Sequence, residues 1–148
     1  MSQQPESVLN SVLIDTARSF LQYMSEASPW VGEQALSIGE QVSVLAARQR
    51  QDVSDIVSLL TSREFPIDFG AYPTEYTDQQ FLSLESLFHN LRASQDLVCS
   101  SISSGLQAIG TDDEAATALL SAIDVRQKEV AHALKELQRE LKESGASA

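Results

Sequence analysis

The chain has 148 residues, of which 43% are hydrophobic and 21% charged, and its net charge is −11. This length fits one domain with a substantial core. The acidic balance argues against nucleic acid and anionic membranes as partners, because a phosphate-binding surface needs a cationic patch. A single cysteine excludes an intrachain disulfide and a multi-cysteine zinc site.

The first two predicted helices span residues 5–25 and 29–63. The first carries a stripe of apolar positions three and four residues apart, and Pro5 stands where a first-turn proline is favoured. Ser28 followed by Pro29 is a helix-start signal. Along the second helix the inward-facing positions are separated alternately by four and by three residues without interruption, which is typical of a helical bundle.

The third and fourth predicted helices span residues 77–109 and 112–143. Each follows a capping box, in which a Thr precedes a Glu or Gln by three positions. The short tail, residues 144–148, is rich in small residues and is expected to be disordered. The boxes are Thr77 with Gln80 and Thr111 with Glu114.

The connections between helices predict the topology. Very short turns join the first helix to the second and the third to the fourth, so each pair is antiparallel. A helix of about 30 residues is about 45 Å long, and the connection at residues 64–76 is just long enough to return along it. One long crossover between two helical hairpins is the ferritin-like arrangement. The crossover is also rich in aromatic residues, which predicts that it packs along the bundle.

One stretch of sequence carries a family resemblance. Residues 65–91, FPIDFGAYPTEYTDQQFLSLESLFHNL, resemble the crossover and third-helix entry of a group of small bacterial ferritin-like proteins without assigned function. The resemblance implies an all-α, ferritin-like four-helix bundle, and the chain length predicts that it forms a single domain. It brings no established activity.

Polar residues interrupt the apolar seams of these helices near their midpoints. Neutral amides and one carboxylate at this height predict either a buried hydrogen-bond layer or the remains of a metal site. The Gln49-x-x-Asp52 pair falls in the slot where ferritin-like dimetal proteins place Glu-x-x-His. One carboxylate cannot neutralise two divalent cations, so the hydrogen-bonded layer is preferred. Either Arg48 or Arg50, which flank Gln49, is expected to reach an exposed edge of Asp52. The candidate layer comprises Thr16, Gln49, Asp52, Gln95 and Gln127.

Conventional ligands and nucleophiles are predicted to lie elsewhere. Glu129 and His132 have the ligand spacing of a dimetal protein. The apolar seam of their helix lies on another face, however, so both side chains are predicted to face solvent. His89 points away from the third-helix seam. The cationic stretch from Arg126 to Lys142 is interleaved with glutamates and is expected to be a solvated face. Cys99 is interpreted as a small core residue. No catalytic, cofactor-binding or metal-ligating residue is assigned.

These features predict a non-catalytic bundle that acts through association with itself or with another protein. Leu106, Leu120 and Val125 flank the seams and are compatible with a homodimer or with a wider core face. A metal-binding oxidase or storage protein that uses the polar layer is the first alternative. The second is a histidine phosphotransfer module acting through His132, which Lys135 follows at three residues although Glu136 would repel a phosphate. The N-terminus lacks a signal-peptide layout, so a cytoplasmic location is expected.

Overall fold

The computed structural model describes residues 4–27, 30, 33–76 and 83–143, and these residues are mostly helical. No strand occurs among them, which confirms the all-α prediction for this part of the chain. None of the helices in these ranges is both long and apolar enough to cross a membrane. The helices are α1 Pro5–Ala17, α2 Phe20–Ala27, α3 Glu33–Ser62, α4 Leu84–Ile109 and α5 Glu114–Glu143.

Contacts at the two ends give the directions of the helices. At one end, Arg63 after α3 forms ion pairs with Glu6 in the first turn of α1 and with Asp113 before α5. At the other end, the rings of Trp30 and Phe88 lie 6.1 Å apart, next to the starts of α3 and α4. The first of these is called the Arg63 end and the second the Trp30 end. It follows that α3 and α4 run in the same direction, antiparallel to α1, α2 and α5.

The crossover returns the chain to the Trp30 end by running along α1 and α2. Asn10 of α1 donates to the Asp68 carbonyl and accepts from the Asp68 N–H, both at 3.0 Å. Further along, the Tyr76 ring packs edge-on against Phe20 of α2, with the centroids 5.1 Å apart. Phe65 and Ile67 also pack against an apolar cluster of the bundle, so aromatic and apolar side chains hold this segment against the helices, as its composition predicts, together with the Asn10 amide.

The first predicted helix is interrupted. Helix α1 ends at Ala17 and α2 begins at Phe20, so the expectation of one helix over residues 5–25 is wrong at this point. The Thr16 hydroxyl donates to the Val12 carbonyl one turn back at 2.8 Å, a contact that tends to bend helices. The Phe20 N–H donates instead to the Ser94 hydroxyl of α4 at 3.0 Å. A tertiary hydrogen bond thus compensates the break in the helix.

The observed cap of α5 differs from the predicted capping box. The Asp113 carboxylate accepts the Ala116 N–H at 3.0 Å, so Asp113 and not Thr111 caps α5. This local contact keeps Asp113 where Arg63 can reach it. The Ser83 hydroxyl caps α4 by accepting the Ser86 N–H at 3.2 Å. Three predicted features lie outside the described residues: the box of Thr77 with Gln80, the start signal at Ser28 and Pro29, and the tail 144–148.

Asp113 stabilises the fold in two ways: it caps α5, and it forms a bidentate ion pair with Arg63. The guanidinium donates to both carboxylate oxygens, at 2.6 and 2.9 Å. The Arg63 hydrogen bonds and then the Ala116 N–H lower the pKa of the Asp113 carboxyl from 3.8 to about 2. The folded protein therefore binds this proton less tightly than the unfolded chain does, so the interaction stabilises the fold when the carboxyl is ionised.

We expect Asp113→Ala to lower the free energy of unfolding by about 2 kcal/mol at pH 6, because it removes both roles. The contribution is fully present above the ordinary carboxyl range near pH 4 and is lost as the pH falls through about 2. The difference between wild type and variant should therefore shrink on acidification. Urea unfolding between about pH 6 and about pH 2.5 measures it. Asp112→Ala, at the exposed neighbouring position, is the control, and an equal loss there would contradict the assignment.

Candidate functional site: a buried polar layer

The predicted polar residues lie between two apolar clusters. One cluster, which includes Phe88, fills the Trp30 end, and the other, which includes Ile102, fills the Arg63 end. On α3 the first cluster extends to Ala46 and the second begins at Ile56, so Gln49 and Asp52 fall in the gap. Gln95 of α4 and Gln127 of α5 occupy the corresponding gaps on their helices. The core is therefore divided at mid-height by a layer of buried polar side chains.

Gln49 is the centre of this layer. Its side chain is 0% exposed and makes hydrogen bonds to four other side chains. Its Oε1 atom accepts from Ser19 Oγ and from Gln22 Nε2, both at 2.9 Å. Its Nε2 atom donates to Gln95 Oε1 and Gln127 Oε1, both at 3.0 Å. One amide thus connects α2, α4 and α5 to α3, and both of its hydrogens are used.

Asp52 is held at the edge of the layer by two donors. One carboxylate oxygen accepts from Arg126 Nε at 2.6 Å, and the other accepts from Gln127 Nε2 at 2.8 Å. Asp52 is buried, whereas the Arg126 side chain is 46% exposed and also lies 3.7 Å from Asp55. The buried charge is thereby compensated by a cation whose remaining surface stays in water, which reduces the desolvation cost of the pair.

The amides form a directional chain across the bundle. Arg50 donates to Gln22 Oε1 at 3.2 Å, and Gln22 donates to Gln49. Gln49 donates to Gln127, which donates in turn to Asp52. A cation therefore stands at the donor end and an anion at the acceptor end. Hydrogen bonds arranged in one direction polarise and strengthen one another inside a protein.

The structure brings together four of the five predicted residues. Thr16 is buried, but its hydroxyl is bonded to the Val12 carbonyl of its own helix and not to the layer. The expectation that Arg48 or Arg50 reaches Asp52 is wrong, because Arg126 makes that contact. Arg126 is exposed, as expected for a solvated face, but its Nε atom also reaches the buried carboxylate, a contact that the prediction of a solvated face did not include. Its position directly before Gln127 is the sequence signal that it lies at the same height.

Ser19 and Gln22 are members of the layer that periodicity alone does not identify. In an unbroken helix the seam would continue through Phe20 and Met24, and both polar residues would lie beside it. In the structure Phe20 and Met24 are buried as the seam predicts, and Ser19, which lies in the interruption, and Gln22 are buried as well. Gln22 also donates to the Ala46 carbonyl at 2.9 Å. The helix break and the polar layer are therefore parts of one feature.

The residues with conventional ligand or nucleophile chemistry lie away from the layer or are unreactive. Glu129, His132 and His89 are exposed, as the helical periodicity predicts. In the described ranges no group of three or more His, Cys, Asp or Glu residues is placed to hold a metal ion. Cys99 is half-buried, and burial raises the pKa of its thiol above the ordinary value. A thiol that stays protonated at neutral pH is a poor nucleophile.

No protein-family model matches the chain, and neither does any curated protein.

The capacity of the layer to bind a metal or a ligand depends on whether its hydrogen-bond donors and acceptors are free. Both oxygens of Asp52 are hydrogen-bonded, and the amides of Gln49, Gln95 and Gln127 bond to one another. Among the described side chains of the layer no buried polar atom lacks a partner. A saturated network of this kind ties the helices together.

Proposed function

We propose that this protein is a ferritin-like helical bundle in which a hydrogen-bonded glutamine layer occupies the height of a dimetal centre. In this proposal the protein is not an enzyme and acts through association with a second copy or with another protein. The observation that carries the proposal is the saturation of the layer, because a metal or substrate would have to displace hydrogen bonds that are already satisfied.

The ferritin-like part of the proposal is supported by the path of the chain. Helices α3 and α4 run in the same direction, and the crossover between them packs against α1 and then α2. One long crossover between two antiparallel hairpins is the ferritin-like connection. The resemblance of residues 65–91 to small bacterial ferritin-like proteins points the same way.

The non-catalytic part is supported by the chemistry of the buried side chains. A ferritin-like dimetal site uses inward glutamates on two helices and Glu-x-x-His on the other two. Asp52 is the only carboxylate among the buried polar residues of the described chain, and the other members of its layer are neutral: Ser19, Gln22, Gln49, Gln95 and Gln127. Neutral amides are weak ligands for iron and manganese, which favour carboxylate and imidazole in such sites. The positions are thus filled with side chains suited to bonding one another.

Metal retention tests this proposal. Purified protein is incubated anaerobically with Fe(II) or Mn(II), desalted and analysed for metal content. We expect no more metal in the wild type than in Asp52→Asn, which removes the carboxylate charge but retains a side chain of the same shape. Retention of about two metal ions per wild-type chain, lost in Asp52→Asn, would overturn the proposal and favour an oxidase or storage protein.

The exposure of His132 favours one second candidate, a phosphotransfer module. An exposed imidazole followed by a lysine three residues later suits a phosphate acceptor, since the ammonium offsets the phosphate charge. Glu136, one turn beyond His132, opposes it electrostatically. Incubation with a small phosphoryl donor, followed by a search for acid-labile phosphohistidine in wild type and in His132→Gln, decides between the two functions.

A further inference from the structure

A shallow apolar groove runs along the outside of the bundle between α3 and α5, from the polar layer towards the Trp30 end. Its volume is about 300 Å³. Val44 and Leu45 of α3 and Ala133 and Leu137 of α5 contribute its apolar surface. Val44 is 54% exposed, so a large apolar side chain projects into water at the rim. Covering this groove would remove that apolar surface from water.

The two ends of the groove carry opposite charges. Arg48 of α3 lies at the end nearest the polar layer, beside Gln49. Glu140 of α5 lies roughly 18 Å further along the axis, as about twelve residues of helix at about 1.5 Å each separate their heights. Both line the groove and both are exposed. Neither makes an ion pair with any residue in the described ranges. Glu136, between them, is already paired with Arg139.

This distribution of charge is self-complementary about a two-fold axis. If a second copy lies antiparallel across the groove, Arg48 of each copy faces Glu140 of the other, and two identical ion pairs form. An isologous interface requires this reciprocity, in which residue i meets residue j and residue j meets residue i. Two copies that each carry a net charge of −11 repel one another. Opposite charges at both ends of an apolar strip offset that repulsion locally and fix the orientation.

We propose that the α3–α5 groove is the interface of a symmetric homodimer, in which Val44 packs against the partner's groove and Arg48 pairs with Glu140 of the second copy. This inference rests on the proposed function, because it names the partner and the surface for an association role. It commits to a second copy as the occupant, since the free charges of this face match the same face of another chain.

The groove between α1 and α4 is the competing surface. It is larger, about 680 Å³, and Leu97 at its rim is 72% exposed. Its charged residues, however, are already hydrogen-bonded within the chain. Asp15 accepts from Ser101 at 2.7 Å, and Arg18 donates to the Phe69 carbonyl at 2.9 Å. Asp15 and Arg18 are thus each held by a hydrogen bond within the described chain, whereas Arg48 and Glu140 are not, and the α1–α4 face serves as the control surface.

Charge exchange tests the dimer directly. Sedimentation velocity at low ionic strength is run on wild type, Arg48→Glu, Glu140→Arg and the double variant. Each single variant places like charges opposite one another at both symmetry-related contacts of the dimer. We therefore expect the dimer dissociation constant to rise at least about tenfold. The double variant restores both pairs and should dimerise like the wild type. A mixture of the two single variants should form a heterodimer, because two glutamates of one chain then meet two arginines of the other.

Controls separate failure of this interface from failure of the proposed function. Lys135→Glu makes the same change of charge on the outer face of α5 and should leave the dimer intact. Unchanged circular dichroism confirms folding of each variant. A monomeric wild type, or dimers lost in Leu97→Asp but retained in Arg48→Glu, would overturn the α3–α5 interface and leave the proposed function standing. Metal retention overturns the proposed function whatever the oligomeric state.

Discussion

Gln49→Ala is expected to lower the free energy of unfolding by about 4 kcal/mol. The substitution removes an amide that is bonded to Ser19, Gln22, Gln95 and Gln127. Their buried donors and acceptors then lose their partner, and an unsatisfied buried group costs about 1 to 3 kcal/mol. A cavity at a fully buried position adds to the loss. The expected loss is comparable to that for truncating a fully buried leucine, which costs about 2 to 5 kcal/mol.

Urea unfolding of wild type and Gln49→Ala, monitored by circular dichroism, measures this difference in unfolding free energy. Gln107→Ala is the matched control, because Gln107 lies on the exposed face of α4. There the same chemical change should alter stability by less than about 0.5 kcal/mol. A cost for Gln49→Ala under about 1 kcal/mol would mean that water readily replaces the amide and that the layer contributes little to the fold.

The positions of the layer on α3, α4 and α5 were predictable because these helices are unbroken. A helix repeats about every 3.6 residues, so the seam identifies which residues face inward over the whole length. Gln49, Gln95 and Gln127 therefore stand out as polar residues at apolar positions. Hydrogen-bond partners could not be assigned in the same way, since they depend on the relative height of three helices.

The part of the layer on α2 was not predictable from periodicity. Thr16 occupies an inward position of the first helix, but its hydroxyl donates a hydrogen bond to the Val12 carbonyl of the same helix. The chain then leaves the helix and re-enters it at Phe20, and Ser19 and Gln22 are buried beside the seam residue Phe20. The Phe20 N–H is stabilised by Ser94, which is 74 residues away along the chain. Only tertiary structure supplies that bond.

Sequence proximity also misleads on charge. Arg50 is a near neighbour of Asp52 along α3, yet it bonds to Gln22, and Arg126 of α5 neutralises the carboxylate instead. Residues two apart on a helix point in different directions, whereas residues on antiparallel neighbours can face one another. The same reason explains Asp113, whose partner Arg63 is 50 residues away. Long-range ion pairs of this kind follow from the topology.

Replacing the whole layer with apolar residues is expected to have the opposite effect from Gln49→Ala. Leucine has nearly the volume of glutamine, and no donor or acceptor is then left buried without a partner. Removing an intact buried polar network in favour of well-packed apolar groups is commonly neutral or stabilising by about 1 to 4 kcal/mol, and we expect a gain of about 2 kcal/mol. The variant combines Ser19→Ala, Gln22→Leu, Gln49→Leu, Asp52→Leu, Gln95→Leu and Gln127→Leu.

Unfolding free energies of the combined variant and of its single substitutions measure this non-additivity. A combined loss equal to the sum of the single losses would show that the side chains act independently, contrary to the bonding seen around Gln49.

The gain in stability should be accompanied by the loss of a single, well-defined packing of the helices. Without the layer, the apolar clusters on its two sides merge into one, and α3 is free to slide by a turn against α4 and α5. Broadened amide signals in a heteronuclear NMR spectrum would report this, because a buried polar layer disfavours every register except the one in which its hydrogen bonds are made.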